Sequence, residues 1–100
     1  MTHRVRVLRR AELDLLAIQA YLRKEATEEI ASRVLDALLG AMERLRRFPT
    51  MGARPRDTRL RSLGFRYLVR ESYLVFYKAL ASEVRVYRIL HPRRAYEELL

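Results

Sequence analysis

The sequence predicts an α+β domain with the element order β-α-α-β-β-β, a small and mainly antiparallel sheet with an α-helical hairpin packed on one face. Three patterns predict it. Residues 10–48 contain two long stretches of helical apolar spacing with a short break between them. Residues 65–90 contain three short alternating or β-branched segments joined by two-residue links. Residues 4–8 alternate basic and apolar side chains, as a short strand with one face on a core does.

The first helix is predicted over 10–24, RAELDLLAIQAYLRK, which lacks Gly and Pro. Leu15, Ile18 and Leu22 recur at helical spacing, and so do Leu13, Ala17, Ala20 and Tyr21, so the apolar face is wide. The second helix is predicted over 27–48, where Ile30, Val34, Leu38, Met42 and Leu45 form a stripe widened by Ala31, Leu35, Ala41 and Phe48. Thr27 suits an N-cap, with Glu28 and Glu29 at the positive end of the helix dipole. Glu29–Arg33 and Glu43–Arg47 are spaced for i,i+4 ion pairs, and Pro49 is the predicted stop. Gly40 inside this helix is expected to mark close packing on its neighbour. The two helices form an antiparallel hairpin, and a sheet must cover the apolar surface they leave over.

Residues 49–64, PTMGARPRDTRLRSLG, read as an irregular basic loop. FRYLVR, YLVFYKAL and EVRVYRIL then form an antiparallel meander over 65–70, 73–80 and 83–90. Neither link is Asn-Gly, so the turns do not dictate register. Pro92 ends the last strand, and residues 93–99 are expected to form one or two helical turns. The first strand joins the same sheet, which leaves arginines and tyrosines on the face away from the helices.

The length of 100 residues suits one domain, 1–100, with one compact core. The net charge of +9 exceeds the magnitude of about 2–8 usual for a small soluble domain. Either the charge is spread over a solvated surface, or the partner is polyanionic: RNA, DNA or an acidic protein segment. Lys24 and Lys78 are the only lysines among 21 basic residues. The arginine fork suits phosphate and carboxylate equally. The chain has no cysteine, which excludes disulfides and thiolate metal sites and fits a cytoplasmic setting. Two histidines far apart in sequence give no zinc site, and no cofactor is expected. No apolar run approaches the roughly 18 residues of a membrane span, and no secretion signal stands at the N-terminus.

The last third carries a resemblance. Arg66 in the first meander strand, the stretch from Tyr73 to Tyr77 in the second, and the ending Ile89-Leu90-His91-Pro92-Arg93 are similar to the RelE/ParE superfamily of toxins from type II toxin–antitoxin modules. The element order agrees over essentially the whole chain. The resemblance implies a small cytoplasmic toxin, neutralised in a hetero-oligomer by a cognate antitoxin. A segment of that antitoxin, acidic to match a basic toxin, lays a helix on the hairpin or adds a strand to the sheet. Leu15, Ile18 and Leu22 are the expected apolar contacts for it, with Arg59 and Arg61 as charged ones.

RelE-like members cut messenger RNA on the ribosome, whereas ParE-like members inhibit DNA gyrase by binding, and the fold does not choose. Metal-independent RNA cleavage needs a base, an acid and cations beside the phosphate. Arg66, Arg88, His91 and Arg93 are the candidates, with Lys78, Arg85 and Tyr87 nearby in sequence. RelE-like nucleases carry an arginine directly after the tyrosine of the second meander strand; here that position is Leu74, which cannot neutralise a phosphate. The wording YLVFY and the Leu-His-x-Arg ending resemble the ParE branch instead. Gyrase inhibition is therefore the expected function, with Arg66, Arg88, His91, Arg93 and Arg94 as target contacts. The ribosome and mRNA are the alternative, and a decayed binding module is a third reading.

Each residue also has a structural reading. Arg66 could fix the sheet to the C-terminal tail by an ion pair. Arg88 could be a surface charge on an edge strand. His91 could bond the turn that Pro92 forces. Tyr73 and Tyr77 suit cross-strand packing. His3 is expected at a mobile terminus, without a role.

Overall fold

The computed structural model describes residues 2–93. The elements are β1 (Arg4–Val7), α1 (Arg9–Glu25), α2 (Glu28–Arg44), α3 (Thr58–Ser62), β2 (Phe65–Arg70), β3 (Tyr73–Ala79) and β4 (Glu83–Leu90). The four strands lie in the order β1-β4-β3-β2. β4 runs antiparallel to β3, β3 antiparallel to β2, and β1 parallel to β4. The sheet is thus mainly antiparallel, with the helical hairpin on one face, as the sequence pattern predicts. The turns expected over 93–99 lie outside the described residues, apart from Arg93.

The helices form for the expected reasons, with three differences. Thr27 caps α2, its hydroxyl accepting the N–H of Ile30 at 3.1 Å. However, α2 ends at Arg44 rather than at Pro49. The N–H groups of Leu45, Arg46 and Arg47 bond carbonyls three residues back, so the last turn tightens before the proline is reached. The expected i,i+4 pairs are also replaced. Arg33 reaches across to Glu71 in the β2–β3 turn at 2.6 Å, and Glu43 takes Arg46 at 2.8 Å. Gly40 faces open space, so close packing does not explain it.

Two apolar clusters lie on opposite faces of the sheet, and β3 shows the alternation most clearly. Tyr73, Val75, Tyr77 and Ala79 face the helices and pack with Ile18, Val34, Leu38, Met42 and Leu45. Leu74 and Phe76 face the other way and pack with Phe65, Leu90 and Leu60 of α3. That second cluster corrects two expectations. Residues 49–64 are not wholly irregular, because Asp57 caps α3 by accepting the N–H groups of Arg59 and Leu60 at 2.9 and 3.2 Å. The far face of the sheet is not left to arginines and tyrosines either, because α3 covers part of it with the fully buried Leu60.

A bulge lies opposite Phe76 and Tyr77. Phe76 pairs with Arg88 but Tyr77 with Val86, so Tyr87 is the extra residue in β4. The β2–β3 link is a two-residue turn in which Glu71 and Ser72 both take positive φ, +52° and +69°. Two residues closing a hairpin with positive φ at both make a type I′ turn, without the usual Asn-Gly. The N-terminus is tied down: His3 donates its backbone N–H to Arg46 O at 2.8 Å, and its Nε2 lies 3.1 Å from Leu80 O. His3 is a fixed joint between β1, the end of α2 and the β3–β4 turn.

Candidate functional site

β4 is the strand from which the candidate site grows. β1 covers its outer edge only from Glu83 to Val86, and the last bond of that junction runs from Leu8 N–H to Val86 O. Beyond it the edge of an interior strand would lie open. Asp14 of α1 fills the gap. Its Oδ2 accepts the Ile89 N–H at 2.8 Å, standing where a neighbouring strand would supply a carbonyl. The same carboxylate accepts two hydrogen bonds from Arg88, Nε to Oδ2 at 2.8 Å and Nη2 to Oδ1 at 3.1 Å. The Arg88 side chain is 5% exposed and that of Asp14 is 14% exposed. Arg88 is therefore neither on an edge strand nor a surface charge, but a buried ion-pair partner. A guanidinium buried here needs the carboxylate beside it, since unpaired burial of charge costs several kcal/mol.

Past Leu90 the chain leaves the sheet. His91 is exposed, and its Nδ1 accepts the Arg93 N–H at 3.2 Å, closing the turn around Pro92. Its ring stands edge-on to Tyr73 with centroids 6.0 Å apart. Burial raises the Tyr73 phenol above its ordinary value, with Tyr21 adding to the effect. His91 and Arg93 thus come together at one end of the sheet. Arg66 does not join them: it sits near the start of β2, where it pairs with Tyr77, whereas Leu90 pairs with Leu74. Its Nη1 donates to Gly52 O at 3.0 Å and Thr50 O at 3.3 Å, so it ties β2 to the preceding loop; the C-terminal tail expected as its ion-pair partner lies outside the described residues. Arg94 lies outside the described residues, as do Leu99 and Leu100.

The same strand end forms one wall of a groove of about 580 Å³. α1 supplies Ala17, Ile18, Tyr21 and Leu22, and the opposite side supplies Tyr73 and Ile89. Polar groups join the lining: Asp14 and Glu71 are met by Arg88 and Arg33, while His91 and Arg93 are exposed. Such a mainly apolar trough with few polar groups is the usual shape of a peptide site.

The expected antitoxin contacts are divided by the fold. Leu15, Ile18 and Leu22 share a face that packs toward α2 and β4, with Ile18 buried, and of the three Ile18 and Leu22 also line the groove. The outward apolar face of α1 is Leu13, Leu16, Ala17, Ala20 and Tyr21, with Leu16 58% and Tyr21 60% exposed. Helical period shows which residues lie together, not which stripe points inward. Arg59 and Arg61 flank Leu60 on the opposite side of the sheet, so no single helix laid on α1 touches both sets.

The loop before β2 holds a further joint. Ala53 and Tyr67 exchange two backbone hydrogen bonds of 2.9 Å, so the loop covers part of the outer edge of β2. The buried Tyr77 hydroxyl accepts the Gly52 N–H at 2.9 Å. Burial pushes the Tyr77 phenol up, against the opposing effects of the Gly52 N–H and the Arg66 charge. Glycine is required at 52, because a Cβ there would stand 2.6 Å from Tyr77 Oη and 2.8 Å from Tyr67 O. Among the described residues no group of acids and histidines could hold a metal ion. No described helix is long and apolar enough to cross a membrane.

Residues 5–96 match the model of a family described as the ParE toxin of type II toxin–antitoxin system, parDE. Among solved structures, the chain is similar to one described as the chromosomal ParDE TA system from P. aeruginosa. The TM-score is 0.76 at 22% identity, covering 90% of this chain and 96% of that one. No curated protein matches the sequence.

Proposed function

The chain belongs to the ParE toxin family of type II toxin–antitoxin systems, and on that premise we propose that it inhibits DNA gyrase by binding. The observation that carries this reading is where the arginines go. Arg88, a candidate for steadying a scissile phosphate, is buried against Asp14. Arg66 is spent on the carbonyls of Thr50 and Gly52. Leu74 packs against the second apolar cluster at the position where the nuclease branch carries arginine. His91, bonded through Nδ1 to the Arg93 N–H, is a joint that presents the strand end. Arg93, just past the end of β4, and its sequence neighbour Arg94 are the target contacts.

The partner implied by the family is an antitoxin. An amphipathic segment of it enters the groove between α1 and the end of β4, with Ala17 and Tyr21 on one side and Tyr73 on the other. Acidic groups on that segment are favoured by the net charge of +9.

The test is purified toxin against gyrase supercoiling, beside a reconstituted translation reaction scored for new mRNA 5′ ends. Supercoiling is expected to be blocked and the transcripts to stay intact. Arg93→Ala/Arg94→Ala, still folded by circular dichroism, is expected to lose inhibition at least tenfold. Unimpaired supercoiling together with cuts at codon boundaries would establish the ribosome-dependent nuclease instead.

A further inference from the structure

We propose that the shallow basin formed by Arg54, Thr58, Arg59, Arg61 and Ser62, on the sheet face away from the helical hairpin, is a contact for the phosphate backbone of duplex DNA. It is separate from the groove beside α1. The choice of DNA over RNA rests on the reading of gyrase as target; the phosphate chemistry does not.

The basin is built rather than merely charged. Leu60 is fully buried among Phe65, Phe76 and Leu90, so its neighbours Arg59 and Arg61 are held at the surface. Asp57 caps α3 and fixes that turn. Arg61 donates its Nε to Pro55 O at 3.0 Å, which anchors the base of the guanidinium. Among the described residues its Nη groups take no partner, and Arg54 makes no hydrogen bond or ion pair. Ser62 spends its hydroxyl proton on Arg59 O, so it serves as wall, while the exposed Thr58 hydroxyl can donate outward. Over 54–61 four arginines face one acid. That acid, Asp57, reaches the Arg59 guanidinium only at 4.0 Å, a distance of little energetic weight at a surface.

The lining also separates the two kinds of partner. Protein interfaces draw most of their energy from buried apolar and aromatic anchors. The groove beside α1 offers Tyr21, Tyr73 and Ile89 for that purpose; the basin offers no apolar side chain. A phosphate backbone asks for no anchor, only cations and hydroxyl donors held in place. Prepositioned arginines reduce the ordering cost of each contact.

The experiment is fluorescence anisotropy of a labelled 20-base-pair DNA duplex with the full-length toxin, over a range of salt. Arg54→Ala/Arg59→Ala/Arg61→Ala is compared with Arg10→Ala/Arg44→Ala/Arg47→Ala, which removes equal charge on the helix side. Both are first shown to be folded by circular dichroism and thermal melting. The basin variant is expected to lose at least tenfold in affinity, and the control less than threefold. The slope of log K against log salt is expected to flatten by about 2–3 in the basin variant, as for three lost phosphate contacts. Equal losses in the two variants overturn the proposal. Tighter binding of an RNA duplex than of DNA overturns the assignment to DNA. A matched loss of affinity for polyglutamate, with DNA binding intact, makes the basin a protein contact and also overturns it. Supercoiling assays on the same proteins keep the readings apart: a toxin that binds DNA through the basin yet leaves gyrase untouched removes the target, not the basin.

Discussion

The carboxylate of Asp14 holds Arg88 through two hydrogen bonds and, with one of the same oxygens, accepts the Ile89 N–H. One side chain on α1 therefore neutralises a buried cation and completes the edge of β4 where β1 runs out. Asp14→Ala removes the carboxylate that the buried cation and the Ile89 amide share. It is expected to cost about 3–5 kcal/mol by urea denaturation. Hydrogen exchange at Ile89 should accelerate in step. Asp14→Leu/Arg88→Met removes both charges and is expected to recover part of the loss, leaving the amide term of about 1–3 kcal/mol. If Asp14→Ala unfolds at the wild-type urea midpoint, the pair is not structural.

Two glycines are expected to respond in opposite directions. Gly40 lies in α2 with open space where a Cβ would stand, so Gly40→Ala is expected to stabilise by about 1 kcal/mol. Gly52 lies against Tyr77 Oη and Tyr67 O, so Gly52→Ala must move backbone or a buried ring, at about 1–3 kcal/mol. Thermal melts of the two variants should shift up and down respectively. A fall in the melting temperature of Gly40→Ala would mean that the helix packs there after all.

The groove beside α1 gives a functional prediction. Ala17 is exposed and lines it without contributing to the core clusters. Ala17→Arg puts a charge where an apolar segment would sit. Antitoxin affinity is expected to fall at least about tenfold, equivalent to 1.4 kcal/mol. Toxicity is expected to persist, because the strand end is untouched. Co-expression would then arrest growth despite the antitoxin. Full rescue by the antitoxin would place its contact elsewhere.

These residues also mark how far the sequence could be read. The meander was legible because alternation over 65–90 repeats a period that helices do not share. The hairpin was legible because two apolar stripes ran for four turns or more. β1 was placed in the sheet but not beside β4, since four alternating residues fit either edge in either direction. α3 was hidden because a five-residue helix with one buried side chain, Leu60, leaves no period to detect. Its one local signal was Asp57 ahead of Thr58, an N-cap read as loop. Arg88 was expected at the surface, as a target contact or a charge on an edge strand, for a different reason: Asp14 stands 74 positions earlier, and nothing local marks a charge as buried. His3 was misjudged likewise, because its bonds are to Arg46 and Leu80. The resemblance in the last third identified the family, but which side chains of α1 stay exposed had to come from packing.

Glu83 gives a prediction in pH. It stands at the start of β4 with Arg85 hydrogen-bonded to it and Arg4 and Arg6 of β1 at 3.6 and 4.0 Å. The Arg85 hydrogen bond, foremost, holds its carboxyl below the ordinary 4.5, with the charges of Arg85 and Arg6 adding and partial burial opposing. A folded-state value below the unfolded one means that the native state binds fewer protons in this range. The stabilisation is therefore complete above about pH 4.5 and is lost as pH falls through the folded value. Glu83→Gln should lower the urea midpoint at pH 7, and the gap to wild type should narrow as pH falls below 4.5. It should also narrow at 1 M salt, where exposed arginine charges are screened beyond about 3 Å. An equal gap at pH 3 and pH 7 would mean that Glu83 joins β1 to β4 through its shape and hydrogen-bonding alone, not through its charge.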